Sequence, residues 1–586
     1  MYLYDDTDRR LVHQRAAQYR HQLERHLAGK LPDDEFRPLR LQNGWYVQRH
    51  APMLRVAVPY GELASRQLRV LARIAREFDL QDAGLTSERG ATRGGYGHLT
   101  TRQNMQFNWI PLARSAEVME LLAGVDMHGI QTSGNCIRNI TSDAFAGIAP
   151  DEDIDPRPYC ELLRQWSTLN PEFAFLPRKF KIAVTGARDD RAAIAWHDLG
   201  LHLLRNAQGE IGFRVLAGGG MGRTPIIATQ VAAFVPWRHI FVFIEALVRI
   251  YNLYGRRDNL YKARLKVLVR AEGERFVQSV QREYEALCAD ATTAFIGDAE
   301  FERVARHFAA PPPRVPAASL HAGGEEPLVY RRWLDRNVHG HRESGRHAVT
   351  LSIKRAGQAP GDLTAAQMDA AADLADRFSH GEVRVTHEQN LLLPWVEAHQ
   401  LHALWVEASR ASFASPNIGF ITDMIACPGG DLCALANARS IPIAAALTER
   451  FADLDEQHDI GDIALHISGC INSCGHHHSG HIGVLGVDKD GSEWYQLTVG
   501  GSDGRTRNGA AVAGKVIGPS FAADEVADAV EAVIGTYMTS REPNERFLDS
   551  VRRLGPLPFR AAADRVRRTT AQQRQHPESD DAVHLT

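Results

Sequence analysis

The segments that decide the fold are CPGGDLC, residues 427–433, and CINSC, residues 470–474. They hold four of the seven cysteines in two close pairs, whereas the other three are scattered along the chain. A [4Fe–4S] cluster requires four thiolates, one for each iron. Glycine after the first cysteine permits a sharp turn in which backbone N–H groups approach the cluster sulfides. The pattern therefore predicts one [4Fe–4S] cluster bound by Cys427, Cys433, Cys470 and Cys474.

Structural zinc is the main alternative, because zinc also takes four thiolates. Zinc sites favour two to four residues between paired cysteines, whereas the pairs here enclose five and three. The spacing favours iron–sulfur but leaves zinc, or four unrelated thiols, open. A second metal site is the lesser interpretation of His476–His478, since adjacent side chains on an extended chain point in opposite directions. We expect these histidines to shape the loop after Cys474.

Length and composition indicate several globular domains. The chain has 586 residues, of which 44% are hydrophobic and 24% charged, and its net charge is −4. This balance gives no overall signal for a nucleic-acid or membrane partner. No apolar run approaches the ~20 residues of a membrane helix, and the charged N-terminus lacks a signal-peptide core. Seven cysteines in so long a chain form no disulfide framework, so we expect a cytoplasmic protein.

The two halves of the chain share three motifs in the same order. The offsets between paired motifs are 286, 283 and 282 residues. A nearly constant offset predicts duplication of a unit about half the chain long. The pairs are LTTRQNMQFNWI (99–110) with VTHEQNLLLPWV (385–396), KIAVTG (181–186) with ALHISG (464–469), and GGGMGRT (218–224) with GGSDGRT (500–506).

Coarse periodicity indicates mixed helix and sheet. Alternating apolar residues predict strands at 53–59 and 347–353, and helical spacing predicts helices at 67–78 and 365–378. This mixture favours an α/β or α+β architecture. GGGMG is not a dinucleotide fingerprint, because no G-x-G-x-x-G with a following acidic residue is present. We therefore expect no NAD or FAD domain.

Two segments are predicted to lie outside the repeated unit. Residues 309–327 are rich in Pro, Gly and Ala, as is typical of a linker. Residues 565–586 are polar and poor in aromatic residues, so we expect them to be disordered or peripheral. The stretch Glu88–Gly97 (ERGATRGGYG) precedes the first repeated motif.

The first half lacks the paired cysteines but concentrates basic residues in apolar or turn-like settings. Arg102 lies in a strand candidate, and Arg138 follows SGNCI. In a strand, Lys179 and Lys181 would point the same way. Two ammonium groups on one face repel each other unless an anion lies between them, which predicts an oxyanion or acidic-cofactor site. The alternative is a solvated basic strand edge.

Taken together, these motifs resemble the sulfite/nitrite reductase haemoproteins, which carry sirohaem and a [4Fe–4S] cluster. The resemblance spans about residues 1–555. The matching motifs are TTRQN at 100–104, GNCIRN at 134–139, LPRKFK at 176–181, and the two cysteine segments at 427–433 and 470–474.

The resemblance implies an α+β fold with pseudo-twofold duplicated architecture: two ferredoxin-like half domains plus two α/β lobes that hold sirohaem and the cluster. The implied domains are an N-terminal extension (1–45), the first half domain (46–115), the first sirohaem-binding lobe (116–308), a linker (309–327), the second half domain (328–410), the second lobe with the cluster cysteines (411–555), and a polar C-terminal tail (556–586).

The resemblance also implies roles for individual residues. Cys474 would bridge a cluster iron to the sirohaem iron, and Asn472 would stand beside this thiolate. Arg178 and Lys266 would contact the carboxylates of the macrocycle. Sirohaem carries eight carboxylates, which explains a convergence of basic residues. The residues that would surround the substrate are Arg102, Arg138, Lys179 and Lys181.

The function implied is the six-electron reduction of sulfite to sulfide, in sulfate assimilation and cysteine biosynthesis. Assimilatory nitrite reduction is the alternative; nitrite-preferring relatives commonly have asparagine where this chain has Lys181. A non-catalytic iron–sulfur carrier and a zinc-stabilised binding module are further alternatives. Without a flavin domain, electrons would come from a separate ferredoxin or flavoprotein.

Overall fold

The computed structural model describes residues 3–50, 52–80, 95–314 and 326–575. The chain divides into two compact units. The first, here called unit 1, comprises Met1–Ile353, Gly361–Ile418 and Asp503–Ala511. The second, unit 2, comprises Lys354–Pro360, Gly419–Ser502 and Val512–Thr586.

The helices are α1 (Asp6–Leu27), α2 (Asp33–Gln42), α3 (Ser65–Glu77), α4 (Ser115–Ala123), α5 (Arg157–Ser167), α6 (Ile240–Tyr254), α7 (Leu265–Glu272), α8 (Glu274–Ala289), α9 (Asp298–Ala305), α10 (Leu328–Asn337), α11 (Ala365–Phe378), α12 (Leu401–Arg410), α13 (Ile441–Arg450), α14 (Leu454–Ile460), α15 (Val526–Ser540), α16 (Phe547–Leu554) and α17 (Leu557–Gln575).

The strands are β1 (Trp45–Val47), β2 (Pro52–Val56), β3 (Glu62–Ala64), β4 (Tyr96–Leu99), β5 (Met105–Phe107), β6 (Thr141–Ser142), β7 (Ile182–Thr185), β8 (Leu199–Arg205), β9 (Ile211–Ala217), β10 (Thr229–Pro236), β11 (Val338–His339), β12 (Arg346–Leu351), β13 (Asp362–Thr364), β14 (Glu382–Val385), β15 (Leu391–Glu397), β16 (Ile425–Ala426), β17 (Leu465–Ser468), β18 (Ile482–Lys489), β19 (Ser492–Val499), β20 (Lys515–Val516) and β21 (Phe521–Ala522).

Unit 1 contains two related antiparallel sheets that exchange one strand each. Their orders are β1-β2-β5-β4-β13 and β11-β12-β15-β14-β3. Strand β13, from the second half of the chain, pairs with β4, and strand β3, from the first half, pairs with β14. Helices α3 and α11 share one apolar core and are joined at the surface by ion pairs of Arg69 with Asp373 and Asp376. The predicted duplication is confirmed in these two half domains.

The repeated TTRQN and THEQN segments form equivalent turns. Gln103 and Gln389 both have a positive φ, +56° and +60°, which non-glycine residues seldom adopt. Each glutamine donates its side-chain N–H across to the other half: Gln103 to the carbonyl of Val385 at 3.1 Å, and Gln389 to that of Leu99 at 2.7 Å. The two turns are therefore fixed by each other as well as by their own strands.

The N-terminal segment is part of the core of unit 1. Val12, Ala16, Tyr19 and Leu23 lie on one face of α1 at helical spacing and are buried in the same cluster as Phe36 of α2. The segment expected as an extension before residue 46 thus packs against the first half domain.

Unit 1 also contains the first α/β lobe, with sheet order β10-β9-β8-β7-β6. Strands β6, β7 and β8 are parallel, and β9 and β10 continue the sheet in antiparallel fashion. Helix α6 contributes Phe243, Ile244 and Leu247 to the core beneath it. Residues 138–141 and 179–182, which carry the predicted cations, lead directly into β6 and β7.

Unit 2 is built on the same plan. Strands β16, β17 and β18 are parallel, followed by antiparallel β19, with β20 and β21 paired to β19. The polar tail predicted after residue 555 instead includes α17, whose Phe559 and Ala563 are buried in the core of the unit. Residues four apart lie on the same face of a helix, so Phe559 and Ala563 enter this core side by side. Residues 576–586 lie outside the described part.

Most of the Glu88–Gly97 stretch also lies outside the described residues. Of the helices that are described, none is long and apolar enough to cross a bilayer.

Candidate functional site

The four predicted cluster cysteines lie together in unit 2. Cys427 follows strand β16, and Cys470 follows its parallel neighbour β17, so both pairs are at the carboxyl edge of the sheet. This is where open α/β sheets place their ligand sites. Burial raises the pKa of Cys427 to about 12, and the thiol of Cys474 adds to the shift. Burial also raises the pKa of Cys470, with further contributions from Cys474 and Cys433. Cys474 therefore lies within electrostatic range of both Cys427 and Cys470, and Cys433 lies within range of Cys470.

Glycines permit the close approach of the two cysteine loops. Gly429 has φ +58°, and a side chain at Gly469 would place its Cβ 2.7 Å from the Cα of Gly429. The backbone N–H of Gly469 donates to the sulfur of Cys427 at 3.3 Å. Asn472 is predicted beside Cys474; in the structure, its side-chain N–H donates to the sulfur of Cys470 at 3.5 Å. Such N–H donors tune the reduction potential of a cluster.

Four thiolates can hold either one zinc ion or a [4Fe–4S] cluster. Zinc would draw four thiolates to about 2.3 Å from one centre, whereas a cube assigns each thiolate to a different iron and keeps the sulfurs further apart. The four thiols and the N–H donors beside them are suited to a [4Fe–4S] cluster.

The predicted cations lie together in unit 1. Arg102 is in the turn between β4 and β5 rather than in a strand, because the chain reverses at Gln103. Its guanidinium donates to the hydroxyl of Thr141 at 2.7 Å, the carbonyl of Asn139 at 2.7 Å and that of Ile182 at 3.3 Å. These bonds tie the turn to the first residues of β6 and β7.

Arg138 is held by its own loop. Its Nε and Nη2 donate to the carbonyl of Gly134 at 3.1 and 2.8 Å, and its Nη1 donates to that of Thr132 at 2.9 Å. These bonds fix the guanidinium group through backbone carbonyls and not through a carboxylate. They therefore leave its positive charge available to an anion.

The two lysines lie on either side of a buried phenylalanine. Phe180 forms an isolated parallel bridge with Ile137, and β7 begins only at Ile182, so the predicted strand starts later than expected. Phe180 is fully buried, whereas Lys179 and Lys181 are partly buried. Extended backbone therefore directs both lysines away from the phenylalanine, as the alternation predicts.

Mutual repulsion among these cations is visible in their pKa shifts. Burial lowers the pKa of Lys181 far below its ordinary value, and Lys179, Arg102 and Arg264 lower it further. Burial, with Arg138, lowers the pKa of Arg102. Burial, with Arg264 and Arg138, lowers that of Arg178. The structure thus brings Arg102, Arg138, Arg178, Lys179 and Lys181 into one positively charged group.

Asp198 and Arg264 belong to this group but were not predicted from the sequence. Asp198 is fully buried and accepts the backbone N–H of Lys181 at 3.0 Å. Arg264 donates to both of its carboxylate oxygens, Nη2 at 2.8 and 2.9 Å and Nε at 3.1 Å. His197 also lies within electrostatic range of Arg102 and Lys181. The motif YKARLK held the signal for Arg264, since Arg264 lies two residues before Lys266.

Lys266, which was predicted to contact the macrocycle carboxylates, contacts the glycine-rich loop in this structure. Its ammonium donates to three backbone carbonyls of the glycine-rich loop: those of Gly220 at 3.3 Å, Met221 at 2.8 Å and Thr224 at 2.6 Å. An ammonium group has three donors, so these bonds occupy all of them. Burial, with Arg264, lowers its pKa to about 8. Lys266 thus binds the GGGMGRT loop, and Arg264 lies within electrostatic range of Lys181.

Two family models match this chain. The family model described as "Nitrite and sulphite reductase 4Fe-4S domain" matches residues 133–286 and 419–569. The model described as "Nitrite/Sulfite reductase ferredoxin-like half domain" matches residues 46–90 and 339–410. The matches fall on the two lobes and the two half domains, and together they cover more than half of the chain.

Individual relatives include enzymes named for either substrate. The assimilatory ferredoxin-dependent nitrite reductase of Haloferax mediterranei is 28% identical over 523 residues, which cover 86% of this chain and 82% of that one. Sulfite reductase [ferredoxin] 1 of Mycolicibacterium paratuberculosis is 26% identical over 507 residues, 84% of this chain and 81% of that one. The NirA protein of Mycobacterium tuberculosis has the same fold, with a TM-score of 0.72 at 24% identity over 91% of this chain and 92% of that one.

The fold and the matching family models define an iron–sulfur oxidoreductase. The chain belongs to the nitrite and sulfite reductase family. Its cofactors are accordingly a [4Fe–4S] cluster and sirohaem, and the zinc alternative is wrong.

The charged group of unit 1 fits sirohaem as well as a substrate anion. Asp198 opposes the lowering of the pKa values of Lys181 and Arg102, and it also forms an ion pair with Arg264, so positive charge remains in excess. Carboxylates of the macrocycle would supply the missing negative charge through charge-assisted hydrogen bonds.

The buried Asp198–Arg264 pair yields a stability prediction. Asp198→Asn leaves the Arg264 charge buried without a full ion-pair partner, a change that costs about 3 kcal/mol. We expect a fall of several degrees in the melting temperature of the holoenzyme. The control is Asp258→Asn, which breaks the exposed Arg256–Asp258 pair and should leave the melting temperature nearly unchanged. Equal shifts in the two variants would contradict a structural role for Asp198.

Proposed function

We propose that this enzyme reduces sulfite to sulfide with six electrons. The observation that supports this proposal is the convergence of Arg102, Arg138, Lys179 and Lys181 in one partly buried group, because such a group attracts and orients an oxyanion. When bound, sirohaem and the cluster supply the electrons and the iron at which the sulfur atom is reduced.

The residues of the chain supply binding, charge stabilisation and protons. Arg102 and Arg138 are held by protein carbonyls, so their guanidinium groups are already positioned when the anion arrives and need little reorganisation. Each oxygen lost from sulfite leaves as water and therefore consumes protons. Lys181 is suited to donate them, since its lowered pKa makes its ammonium a stronger acid than an ordinary lysine.

We infer that Cys427, Cys433, Cys470 and Cys474 ligate the cluster, and that Cys474 is shared with the sirohaem iron. The proximity of all four thiols supports the first assignment, and the family resemblance supports the second. Arg178 and Arg264 are the residues that we propose for the sirohaem carboxylates.

We favour sulfite over nitrite as the substrate because this chain has Lys181 at a position where nitrite-preferring relatives commonly have asparagine. Nitrite remains the second candidate, because relatives such as the ferredoxin–nitrite reductase of Arabidopsis thaliana, 29% identical over 450 residues, are named for it. In either case the names of the relatives support a ferredoxin as electron donor. The sulfide formed would feed sulfur assimilation and cysteine biosynthesis.

Steady-state kinetics with reduced ferredoxin or reduced methyl viologen test the proposal. We expect a higher kcat/KM for sulfite than for nitrite. A higher kcat/KM for nitrite would assign the second candidate, and no turnover of either anion by cofactor-replete enzyme would contradict the proposed function.

A further inference from the structure

His387 lies between two backbone carbonyl groups from the other half of the chain. Its Nδ1 is 3.1 Å from the carbonyl oxygen of Thr101, and its Nε2 is 3.0 Å from that of Ser142. All three residues belong to unit 1. His387 stands in the repeated THEQN motif, next to the strained turn at Gln389, and the catalytic proposal above does not use it.

The two contacts require a particular protonation state. A carbonyl oxygen can only accept a hydrogen bond, and a neutral imidazole has one donor and one acceptor nitrogen. Neutral His387 can therefore bond to Thr101 or to Ser142, with a ring lone pair facing the other oxygen. The imidazolium has two donors and satisfies both.

These contacts close a ring of bonds around Arg102. Thr101 is covalently joined to Arg102, whose guanidinium donates to the hydroxyl of Thr141 at 2.7 Å. Thr141 is covalently joined to Ser142, and His387 links the carbonyls of Ser142 and Thr101. The imidazole therefore connects the turn that carries Arg102 to strand β6, the same two segments that the Arg102 side chain connects.

We propose that His387 is a positioning residue for substrate binding, which as an imidazolium fixes the Arg102 turn against strand β6. The inference rests on the proposed function, because it takes Arg102 to contact the substrate anion. It adds a residue from the second half of the chain to the substrate site of the first.

The charged and titratable groups that face His387 are Glu388 on its own turn, Arg102 on the turn before β5, and His197 before β8. Burial lowers the pKa of His387; Glu388 opposes the shift, and Arg102 adds to it. A lowered pKa places formation of the imidazolium on the acid side of the ordinary histidine range. The second contact is thus gained as the pH falls and lost as it rises.

The test measures the dissociation constant of nitrite from oxidised holoenzyme, through changes in the visible haem bands, from about pH 5.5 to about pH 8. Nitrite keeps its single negative charge over this range.

His387→Leu removes both contacts, whereas His387→Gln keeps one donor at every pH. Relative to wild type, we expect Leu to weaken binding about tenfold at the acid end, and Gln to match wild type at the alkaline end but bind about threefold more weakly at the acid end. Ratios that do not change with pH would overturn the proposal.

A double-mutant cycle shows whether His387 acts through Arg102. In an Arg102→Ala background we expect His387→Leu to change the dissociation constant by less than about twofold, because the two residues act as a unit. An undiminished effect in that background would overturn the positioning role alone. If Arg102→Ala by itself leaves nitrite binding unchanged, the assignment of Arg102 in the proposed function fails, and this inference fails with it. His239→Gln is the control, since it alters a partly buried histidine bonded to Tyr284 and should not move nitrite binding at any pH.

Discussion

Replacing Cys474 with serine should disturb the cluster and the sirohaem together. An alkoxide is a poor substitute for a soft thiolate, and in our proposal this sulfur is a ligand of both cofactors. We expect loss of acid-labile sulfide, altered visible haem bands and loss of magnetic coupling between the two centres. Turnover should fall below detection.

Two other cysteine variants serve as the comparison and the control for this result. Cys433→Ser should lower cluster occupancy, because Cys433 is proposed as a ligand of the cluster alone. Cys288→Ser should change neither cofactor, since Cys288 lies on α8 near His239 in unit 1. If Cys474→Ser lost the cluster but kept unaltered haem bands, the proposed bridge would be wrong.

The second large effect is expected at Lys181. Lys181→Asn removes the ammonium that we propose as a proton donor, so sulfite turnover should fall about 10²-fold while cofactor content stays normal. In wild type, turnover should decline as the pH rises through the pKa of Lys181, because only the protonated form donates. That decline should begin at a lower pH than for an ordinary lysine, since burial and neighbouring cations lower this pKa. The variant should lack this limb of the pH profile.

Lys262→Asn is the matched control, because Lys262 is an exposed lysine in the same unit. Its kcat should match that of wild type. Unchanged sulfite turnover in Lys181→Asn would make Lys181 structural and would remove the main support for sulfite. A gain in nitrite turnover by that variant would instead show that this position tunes substrate choice.

Local sequence patterns predicted the repeated elements well. The helix predicted over 365–378 is observed with those bounds as α11, and the TTRQN and THEQN turns superimpose in hydrogen-bond pattern as the duplication requires. These features depend on periodicity and on short-range turn chemistry, and both are determined by residues that are adjacent in the sequence.

Pairings between distant residues were not predictable in the same way. Arg102 was expected in a strand, but its position depends on a turn that Gln389, 287 residues away from it in sequence, helps to hold. Lys266 matched a carboxylate-binding position, yet three loop carbonyls occupy its donors. Asp198 gave no local signal, because its importance comes from two partners, Lys181 and Arg264, that only the folded lobe brings to it.

The most direct test of the central claim is the electron count for one product. Holoenzyme is mixed with a limiting amount of sulfite and excess reduced methyl viologen, and both sulfide formed and viologen oxidised are measured. A site that holds sulfite through complete reduction predicts one sulfide per sulfite and six electrons per sulfide, with no partly reduced sulfur released. Fewer electrons per sulfite, or sulfur products other than sulfide, would contradict the account.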